Sequence, residues 1–581
     1  MTSFFLTLLA PVLVLGIGAC VFYVLDRLVP PQDAGVAEAL VLCLALGALL
    51  WGAILPGEGA PETELAFGQA WEKAGWPGST PTLRADRAAK GLAAVLLATA
   101  AAAALASLAE SGVHPTRGGV DPRVAGRSGR VSALGAALVF LFAGDWATMA
   151  LAWVVGDLLL FYARLAQPPP EEKDVSETSW TLVSSLVGAI CLGLAVVVRP
   201  VDGQAPGALA TALALAAIVL RLLPFPLFAW PLSFARQHTL YARVFAFLVP
   251  TLLGAHMCSQ LAPWMWSAEL GAEGGRWLAV LRGTILGLWA AVALLISAFK
   301  AWSAREPGAC IQSATLYATA LLVLGAALNL PADGLRVLGA SAVLSVCALI
   351  VSWTQCPYLD LTDPRSWWRV APAGIALLSL GGVPLTLGFP AHAALYTTLL
   401  SRERWLLLPP LIVAQAGVLG ALLRVLLDVE CVLPETDEHP ESIPAPPHPR
   451  AWQREVAYGA GAVLALGILL LGIVPQGLGV PGLGAWLGAP GVPVWAAMLL
   501  PAVGALLLYR DQERITAWME SWAPLLERVL EGRWLARGVQ YIVQGITTVV
   551  WNGSQVIEGA GYMAWVTLFG LVILLLVLAH R

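Results

Sequence analysis

The residues with the clearest chemical consequence lie at the end of an apolar run that begins at Ala208. Arg221 follows this run, and Pro224 and Pro226 come directly after it. A charge at membrane depth costs roughly 2.5–3.5 kcal/mol on insertion scales, so it is normally kept for a pathway or a pairing role. Prolines at that depth free backbone groups, which protein or cavity water must then satisfy. This combination is typical of the broken helices of transporters, although an arginine at a helix end can instead reach the lipid headgroups.

A second group of residues contains Pro384, Gly388, Pro390 and His392. Proline and glycine both disfavour a helix interior, so the sequence predicts an interruption here and an irregular segment that lines a cavity. Histidine titrates near neutral pH without special help. We therefore expect His392 either to handle protons on a polar path or to be a hydrogen-bonded histidine at a packed helix boundary.

These groups must be held by apolar helices, because the composition is that of an integral membrane protein. Of the 581 residues, 58% are hydrophobic and 12% are charged, whereas soluble domains carry roughly 25% charged residues. Counting apolar windows of spanning length gives about sixteen candidate transmembrane helices. The first of them, near residues 4–25, follows no positively charged segment and is expected to be retained in the protein.

Charge and metal-ligand content exclude several classes of function. The net charge of −4 gives no basic surface for nucleic acid. The eight cysteines are scattered without a CxxC pair, and the seven histidines are dispersed, so no metal site is predicted. The chain also carries no quinone, flavin or iron–sulfur motif, and we expect no cofactor and no catalytic site of its own.

A different kind of segment occupies residues 511–557. Apolar side chains recur there mostly at steps of three and four residues, beginning with Ile515, Trp518 and Met519, while charged residues hold other positions. This pattern predicts an amphipathic helix too polar to span a membrane. At the helical rise per residue it would reach about 70 Å, so we expect it to run along the membrane or along the protein.

Three stretches of sequence match the motifs of a known family. The family's seventh helix carries Lys-x-x-x-x-Pro-Leu-x-x-Trp, its twelfth carries Gly-hydrophobic-Pro-Pro-x-x-Gly-Phe, and its fifth carries Trp-Glu with a tyrosine further on. The corresponding residues here are Arg221, Pro226, Leu227 and Trp230, the segment 382–389, and Trp153 with Tyr162. On these motifs the chain resembles the L-type antiporter-like membrane subunits shared by respiratory complex I, membrane-bound hydrogenases and Mrp-type cation antiporters.

The resemblance implies an all-α polytopic protein of the cell inner (plasma) membrane. It implies about sixteen transmembrane helices, two inverted five-helix repeats, broken helices 7 and 12, and a C-terminal lateral amphipathic helix. The expected domains are residues 1–128 with helices 1–3, 129–261 with the first repeat (helices 4–8), 277–428 with the second repeat (helices 9–13), 429–454 as a Pro-rich acidic loop, 455–510 with helices 14–15, 511–557 as the lateral helix, and 558–581 as a terminal transmembrane helix.

The residues that move protons in this family are mostly replaced here. Its fifth-helix glutamate, seventh-helix lysine, eighth-helix histidine and twelfth-helix lysine fall on Val154, Arg221, Ala246 and His392. Arginine stays protonated, so Arg221 is expected to be a fixed positive charge and not a proton carrier. Asp157, three residues after Val154, is placed by a helix near the same face and is the candidate partner of Arg221. The alternative is a carboxylate that faces water or a loop.

Other ionisable residues, His256 among them, lie near predicted helix ends, where reaching the headgroups explains most of them. Lys300 and Arg424 are exceptions, because each follows a long apolar run. The residues predicted to form an ion or proton path are Asp157, Arg221, Lys300 and His392, and the predicted helix breaks are Pro224, Pro226, Pro384, Gly388 and Pro390.

Three functions fit these features. The first is an antiporter-like subunit of a multisubunit proton- or ion-translocating complex, redox-driven in the manner of NADH–quinone oxidoreductase. Its proton path would be degenerate or rerouted, and its lateral helix would hold other membrane subunits. The second is the membrane half of an inorganic-carbon uptake system that partners a carbonic-anhydrase-like protein, with Arg221 facing an anion or acting as a counter-charge. The third is a structural subunit whose transport path has decayed.

Overall fold

The structure is a computed structural model. It describes residues 9–25, 31–54, 64–66, 82–109, 126–165, 172–198, 208–222, 240–267, 281–304, 307–355, 364–427, 451–488 and 490–530. The chain divides into two compact units, Met1–Met519 and Glu520–Arg581. The candidate sites described below lie in the first unit.

Helices account for nearly all of the described residues, because long apolar runs rich in alanine and leucine favour them. The helices up to residue 267 are α1 (Ala10–Leu25), α2 (Pro31–Ile54), α3 (Arg87–Ser107), α4 (Arg127–Leu141), α5 (Trp146–Leu165), α6 (Glu172–Val198), α7 (Ala208–Leu222) and α8 (Leu240–Ser267). A π-helical turn, Leu281–Leu286, leads into α9. The later helices are α9 (Gly287–Ser303), α10 (Pro307–Ala327), α11 (Ala332–Gln355), α12 (Pro364–Leu380), α13 (Gly388–Ser401), α14 (Leu408–Leu427), α15 (Ala451–Ile473), α16 (Leu483–Gly488), α17 (Val492–Arg510) and α18 (Gln512–Leu530), with 3₁₀ turns at Trp405–Leu407 and Pro475–Leu478.

Nine helical segments in the described part of the chain are long and apolar enough to cross a membrane. Their burial separates a centre from a periphery: the spans in α11, α8 and α10 are 100, 94 and 89% buried, whereas those in α15 and α17 are 39 and 28% buried. Apolar surface exposed to this extent belongs against lipid or another subunit. The protein is therefore a helical, multi-pass membrane protein, as its composition predicted. The number sixteen and the five-helix repeats stay predictions.

A small sheet precedes α3, and the sequence did not predict it. Strands β1 (Glu64–Ala66) and β2 (Thr82–Arg84) pair antiparallel. The amide of Thr82 donates to Asp145 Oδ2 at 2.8 Å, and the amide of Gly144 donates to the Thr82 carbonyl at 2.7 Å. These bonds attach the sheet to the start of α5.

Helix α3 begins at a defined cap. Asp86 has an extended backbone, and its Oδ1 accepts a hydrogen bond from the amide of Ala89 at 2.6 Å. This bond satisfies one of the first-turn N–H groups that a helix leaves unpaired. The alanine-rich stretch 93–104 that follows is a packing surface, because small residues let α3 approach α8, α11 and α15 closely.

The helical chain is interrupted near Pro384, where the sequence predicted a broken helix. Helix α12 ends at Leu380 and α13 begins at Gly388, with irregular backbone at 381–387. The carbonyl of Leu380 accepts from Gln415 Nε2 at 3.2 Å, and the amide of Gly388 donates to Ser379 Oγ at 3.2 Å. Side chains thus satisfy backbone groups that the break frees. Lipid offers such groups no hydrogen-bond partner, so the protein has to supply one.

The extent of this break differs from the expectation. Pro384 lies in the irregular segment, but Gly388 and Pro390 lie in the first turn of α13 and do not interrupt it. N–H groups of a first turn have no intrahelical partner, so a proline there removes no hydrogen bond. His392 accordingly lies in a regular helix and not in the irregular segment that the sequence predicted.

The close contact at the start of α13 gives a prediction of stability. A Cβ atom on Gly388 would overlap the carbonyl oxygen of Ser379, so Gly388→Ala is expected to lower the free energy of unfolding by about 3 kcal/mol. Gly374→Ala is the matched control, because a Cβ there meets no atom within 4 Å. It should be neutral or stabilising by up to about 1 kcal/mol. Unfolding of the full chain in detergent measures both, and equal midpoints would contradict the contact.

Candidate functional site

The first buried site is an ion pair between α7 and α5. Arg221 lies in the last turn of α7, with its side chain 2% exposed. Its Nη1 donates to both carboxylate oxygens of Asp157, at 3.0 and 2.9 Å. Asp157 is 12% exposed. The guanidinium is therefore paired inside the protein and does not extend to the headgroups, and the carboxylate does not face bulk water.

Two further side chains bind the same carboxylate. Trp153 Nε1 donates to Asp157 Oδ2 at 2.7 Å, and the hydroxyl of Ser185 donates to the same oxygen. The guanidinium carbon of Arg221 lies 4.8 Å from the centroid of the Trp153 ring, a cation–π contact worth about 2 kcal/mol when desolvated. Asp157 thus accepts charge-assisted hydrogen bonds from three residues, which are stronger than neutral ones. Sequence reasoning proposed the pair but missed Ser185, because a serine 28 residues from Asp157 on another helix gives no sign of which side chain it will meet.

A glycine on α8 allows this pair to lie so close to the neighbouring helix. A Cβ atom on Gly254 would be 2.5 Å from Leu222 Cδ2 and 3.6 Å from Arg221 Cγ. Real Cβ atoms do not make a contact as short as the first of these. The end of α7 that carries the charge therefore packs directly against α8, and a larger residue at position 254 would have to displace the side chain of Leu222.

The second buried site is His392, which is 2% exposed in α13. Its Nδ1 lies 2.9 Å from the carbonyl oxygen of Gly388. A carbonyl oxygen only accepts, so Nδ1 carries the hydrogen and Nε2 holds the basic lone pair. Within the described residues Nε2 has no hydrogen-bond partner. The ring also packs against the break, because a Cβ on Gly382, whose φ is +72°, would lie 3.0 Å from the His392 Cβ and Cγ atoms.

Buried hydroxyl groups extend from this break into α11. Ser345 Oγ donates to Ser379 Oγ at 2.9 Å, and Ser341 Oγ lies 3.4 Å from the same atom. All three serines are buried. A hydroxyl both donates and accepts, so the three groups join α11 to the first turn of α13, where Gly388 also binds His392. Sequence reasoning missed this group, since Ser379 lies more than 30 residues from Ser341 and Ser345 in the chain.

Lys300 and Arg424 lie at another helix end. Lys300 is half-buried in the last turn of α9, where a cation interacts favourably with the helix dipole. Arg424 is 7% exposed, and its Nη2 donates to the carbonyls of Trp302 and Ala304 at 3.2 and 2.9 Å. Arg424 therefore closes the C-terminus of α9, a structural role that explains its burial.

The remaining predicted positions add no ligand set. Pro224 and Pro226 lie outside the described residues, although α7 does end at Leu222, directly after Arg221. Among the described residues no group of three or more His, Cys, Asp or Glu side chains could hold a metal ion. Asp157 and Arg221 form one site, whereas His392 and Lys300 lie on other helices.

Solved structures with this fold belong to membrane complexes. A chain of the Mrp complex from Dietzia sp. DQ12-45-1b matches with a TM-score of 0.68 at 17% identity, over 93% of this chain and 60% of that chain. A chain of the membrane-bound sulfane sulfur reductase, an archaeal respiratory membrane complex, matches with a TM-score of 0.59 at 15% identity, over 93% of this chain and 100% of that chain. No family model and no curated protein matches the sequence.

The all-α, multi-pass membrane fold expected from the sequence is thereby confirmed: the chain shares the fold of a chain of the Mrp complex and of a chain of the sulfane sulfur reductase complex. It spans 60% of the length of the Mrp complex chain that it matches. At these identities the likeness concerns the fold, and what the sites do has to be argued from their residues.

The ion pair predicts a strong coupling between its two members. Removing one partner of a buried pair leaves an uncompensated charge, so Asp157→Asn and Arg221→Met are each expected to lower the free energy of unfolding by about 3–5 kcal/mol. The double variant should lose much less than the sum of both. Arg221→Lys keeps the charge and is expected to be tolerated.

Asp333→Asn is the control for this cycle, because its side chain is 49% exposed beside Arg336 and should change stability by less than about 1 kcal/mol. Unfolding of the purified full chain in detergent gives all values. Additive losses in the double variant would show that the two residues are not coupled.

Proposed function

We propose that this chain is an antiporter-like membrane subunit of a multisubunit complex that translocates protons or other ions across the inner (plasma) membrane. The main support is His392, a buried base beside an interrupted helix, with Nδ1 bound to Gly388 and no partner for Nε2 among the described residues. Ionisable groups at helix interruptions inside the bilayer commonly bind the transported ion.

The two buried sites differ in what they can do. Arg221 cannot release a proton, so its pair with Asp157 is a fixed charge arrangement that positions α5, α7 and α8. The imidazole of His392, unlike a guanidinium, can exist in a neutral and in a protonated form. We therefore infer a rerouted path, in which proton binding takes place at His392 and the Arg221–Asp157 pair supplies a constant electrostatic environment.

The hydroxyl groups beneath the break support the same assignment. A proton that moves to or from His392 needs neighbouring groups that donate and accept, and Ser341, Ser345 and Ser379 have that property. Their contacts of 2.9 and 3.4 Å are within reach of proton exchange. The proposed path therefore runs between α11 and the first turn of α13.

Other membrane subunits are the proposed partners. Trp518 and Trp522 lie one turn apart on α18 and are 59 and 47% exposed. Aromatic side chains on an amphipathic helix suit a lipid interface or a neighbouring subunit. We propose that the lateral helix holds such subunits. In a redox-driven complex the electron carriers would belong to those partners.

The paired state of Arg221 bears on the inorganic-carbon alternative. That alternative used Arg221 either as a positive group facing an anion or as a counter-charge for a proton leak, and the first of these needs an uncompensated guanidinium. The guanidinium is instead bound to Asp157 through both carboxylate oxygens, so its charge is already compensated. We therefore assign protons or cations, and not bicarbonate, to the proposed path.

A flux measurement tests the role of His392. The complex containing this chain is reconstituted in proteoliposomes, a potassium diffusion potential is imposed with valinomycin, and internal pH is followed with a fluorescent dye. His392→Ala is expected to lower proton flux by more than about tenfold, because the path loses its titratable group. His392→Lys should restore flux, because the antiporter-like subunits that this chain resembles carry lysine at the corresponding position.

Thr398→Ala is the matched control on the same helix. Among the described residues its hydroxyl bonds the carbonyl of Ala394 within α13, at 2.8 Å, so its loss should leave flux unchanged. Flux in His392→Ala equal to that of the control would refute the assignment and favour a structural subunit.

A truncation tests the partner assignment. Removing residues 520–581, the second compact unit, is expected to leave the first unit folded and to release partner subunits. Mild-detergent purification of the tagged full chain and of the truncated chain, followed by mass spectrometry of the co-purifying proteins, measures this. The Trp518→Ala variant of the full chain controls for loss of a single aromatic contact. Unchanged partners in the truncated chain would contradict the proposed role.

A further inference from the structure

A cluster of two aromatic rings and one cation lies where α12 and α15 begin. The rings of Trp368 and Tyr458 meet edge to face, with their centroids 5.4 Å apart. The guanidinium carbon of Arg369 lies 4.8 Å from the centroid of the Tyr458 ring and 5.7 Å from that of the Trp368 ring. Both distances are within the range of cation–π contacts. None of these residues belongs to the two sites described above.

This cluster lies at a boundary of the membrane. The apolar segments Trp368–Leu380 of α12 and Trp452–Ile473 of α15 begin here. Trp368 is 45% exposed and Trp452 is 47% exposed, so both rings reach the protein surface. Tyr458 is six residues further along α15, about 9 Å, but side chains of a helix lean towards its N-terminus. Tryptophan and tyrosine collect where hydrocarbon meets the headgroups, which is also the level of the lipid phosphates.

Within the described residues, no carboxylate pairs with Arg369. Its side chain is half-buried, its Nε is buried without a hydrogen-bond partner, and no hydrogen bond or ion pair there uses its two terminal nitrogens. Arg221, in contrast, is bound to the carboxylate of Asp157. A guanidinium carries five N–H donors in a planar fork. The donors of Arg369 on Nη1 and Nη2 can therefore bind a group from outside the chain.

The charge on the first two turns of α12 and α15 is positive. Three arginines lie there: Arg365, Arg369 and Arg454. The only acidic residue that either helix carries is Glu455. Basic pockets between transmembrane helices are typical binding sites of anionic headgroups. A guanidinium also matches phosphate geometrically, because its fork can donate two parallel hydrogen bonds to two oxygens.

We propose that Arg369, Trp368 and Tyr458 bind the phosphate headgroup of an anionic membrane lipid. The terminal nitrogens of Arg369 donate to the phosphate oxygens, and the two rings fix the position of the guanidinium. The exposed rings of Trp368 and Trp452 lie beside the start of the acyl chains. The inference does not rest on ion flux, because it concerns the outer surface of the full chain and not its ion path.

Chemical modification of arginine tests the site in the unaltered full chain. The chain is placed in nanodiscs of phosphatidylglycerol or of phosphatidylcholine with the same acyl chains, treated with phenylglyoxal, digested and analysed by mass spectrometry. A phosphate held by Arg369 should slow its modification several-fold in phosphatidylglycerol. Arg510, an exposed arginine at the end of the span in α17, is the reference for the effect of bilayer charge itself.

The measured quantity is the rate at Arg369 relative to the rate at Arg510. An equal ratio in the two lipids would overturn the proposal. Inorganic phosphate added to the phosphatidylcholine nanodiscs should give no comparable protection. Full protection by inorganic phosphate would overturn the assignment to a lipid.

A set of variants measures the contribution of Arg369 to lipid binding. Arg369→Gln removes the charge and should weaken retention of phosphatidylglycerol about fivefold, the loss expected for one basic residue near a bilayer surface. Arg369→Lys keeps the charge but not the planar fork, so an intermediate loss is expected. Arg510→Gln is the matched control and should retain as much lipid as the unaltered chain.

Native mass spectrometry of the full chain in mild detergent, with equal amounts of phosphatidylglycerol and phosphatidylcholine added, counts the bound lipids. The unaltered chain should retain phosphatidylglycerol in preference to phosphatidylcholine. Equal losses in Arg369→Gln and Arg510→Gln would show that Arg369 contributes only general surface charge, and would refute the site.

Discussion

The pairing of Arg221 with Asp157 is the constraint on which much of this bundle depends. A permanent cation cannot be left alone where water is scarce, and it cannot discharge itself by losing a proton. Its carboxylate partner lies on α5, its aromatic neighbour Trp153 on the same helix, and the residue opposite it, Gly254, on α8. Three helices are thereby fixed relative to one another around a single guanidinium. An arrangement of this kind fixes geometry more readily than it transports, because its guanidinium cannot release a proton.

The break between α12 and α13 poses the same problem for the backbone. An interruption at membrane depth frees N–H and C=O groups that lipid cannot satisfy, and here Gln415 and Ser379 bind two of them. The same irregular segment packs on the ring of His392. Backbone satisfaction and the placement of a titratable ring are therefore achieved by one local structure.

Some expectations from the sequence agree with the structure, and others do not. A three-residue offset from Val154 was enough to identify Asp157, because helical periodicity fixes which residues share a face. The same kind of reasoning misplaced Gly388 and Pro390, since a proline is harmless in a first turn and the sequence does not say which turn is first. For the group of ionisable residues that includes His256, it offered contact with the headgroups as the explanation of most members, from their distance to a helix end. His256 itself is buried. That distance does not reveal whether the neighbouring side chains there are lipid-facing or enclosed.

The sequence by itself determined the class of protein and the positions of most helices. It also determined the permanent positive charge of Arg221 and the titratable side chain of His392. These follow from composition, apolar run length and side-chain chemistry, which are local properties of the chain. Only the tertiary structure decided which side chains meet. Ser185 binds Asp157, the serines of α11 and α12 meet at the break, and Arg369 contacts the ring of Tyr458. Each of these contacts joins residues far apart in the chain, and their proximity results from helix packing that no single segment encodes.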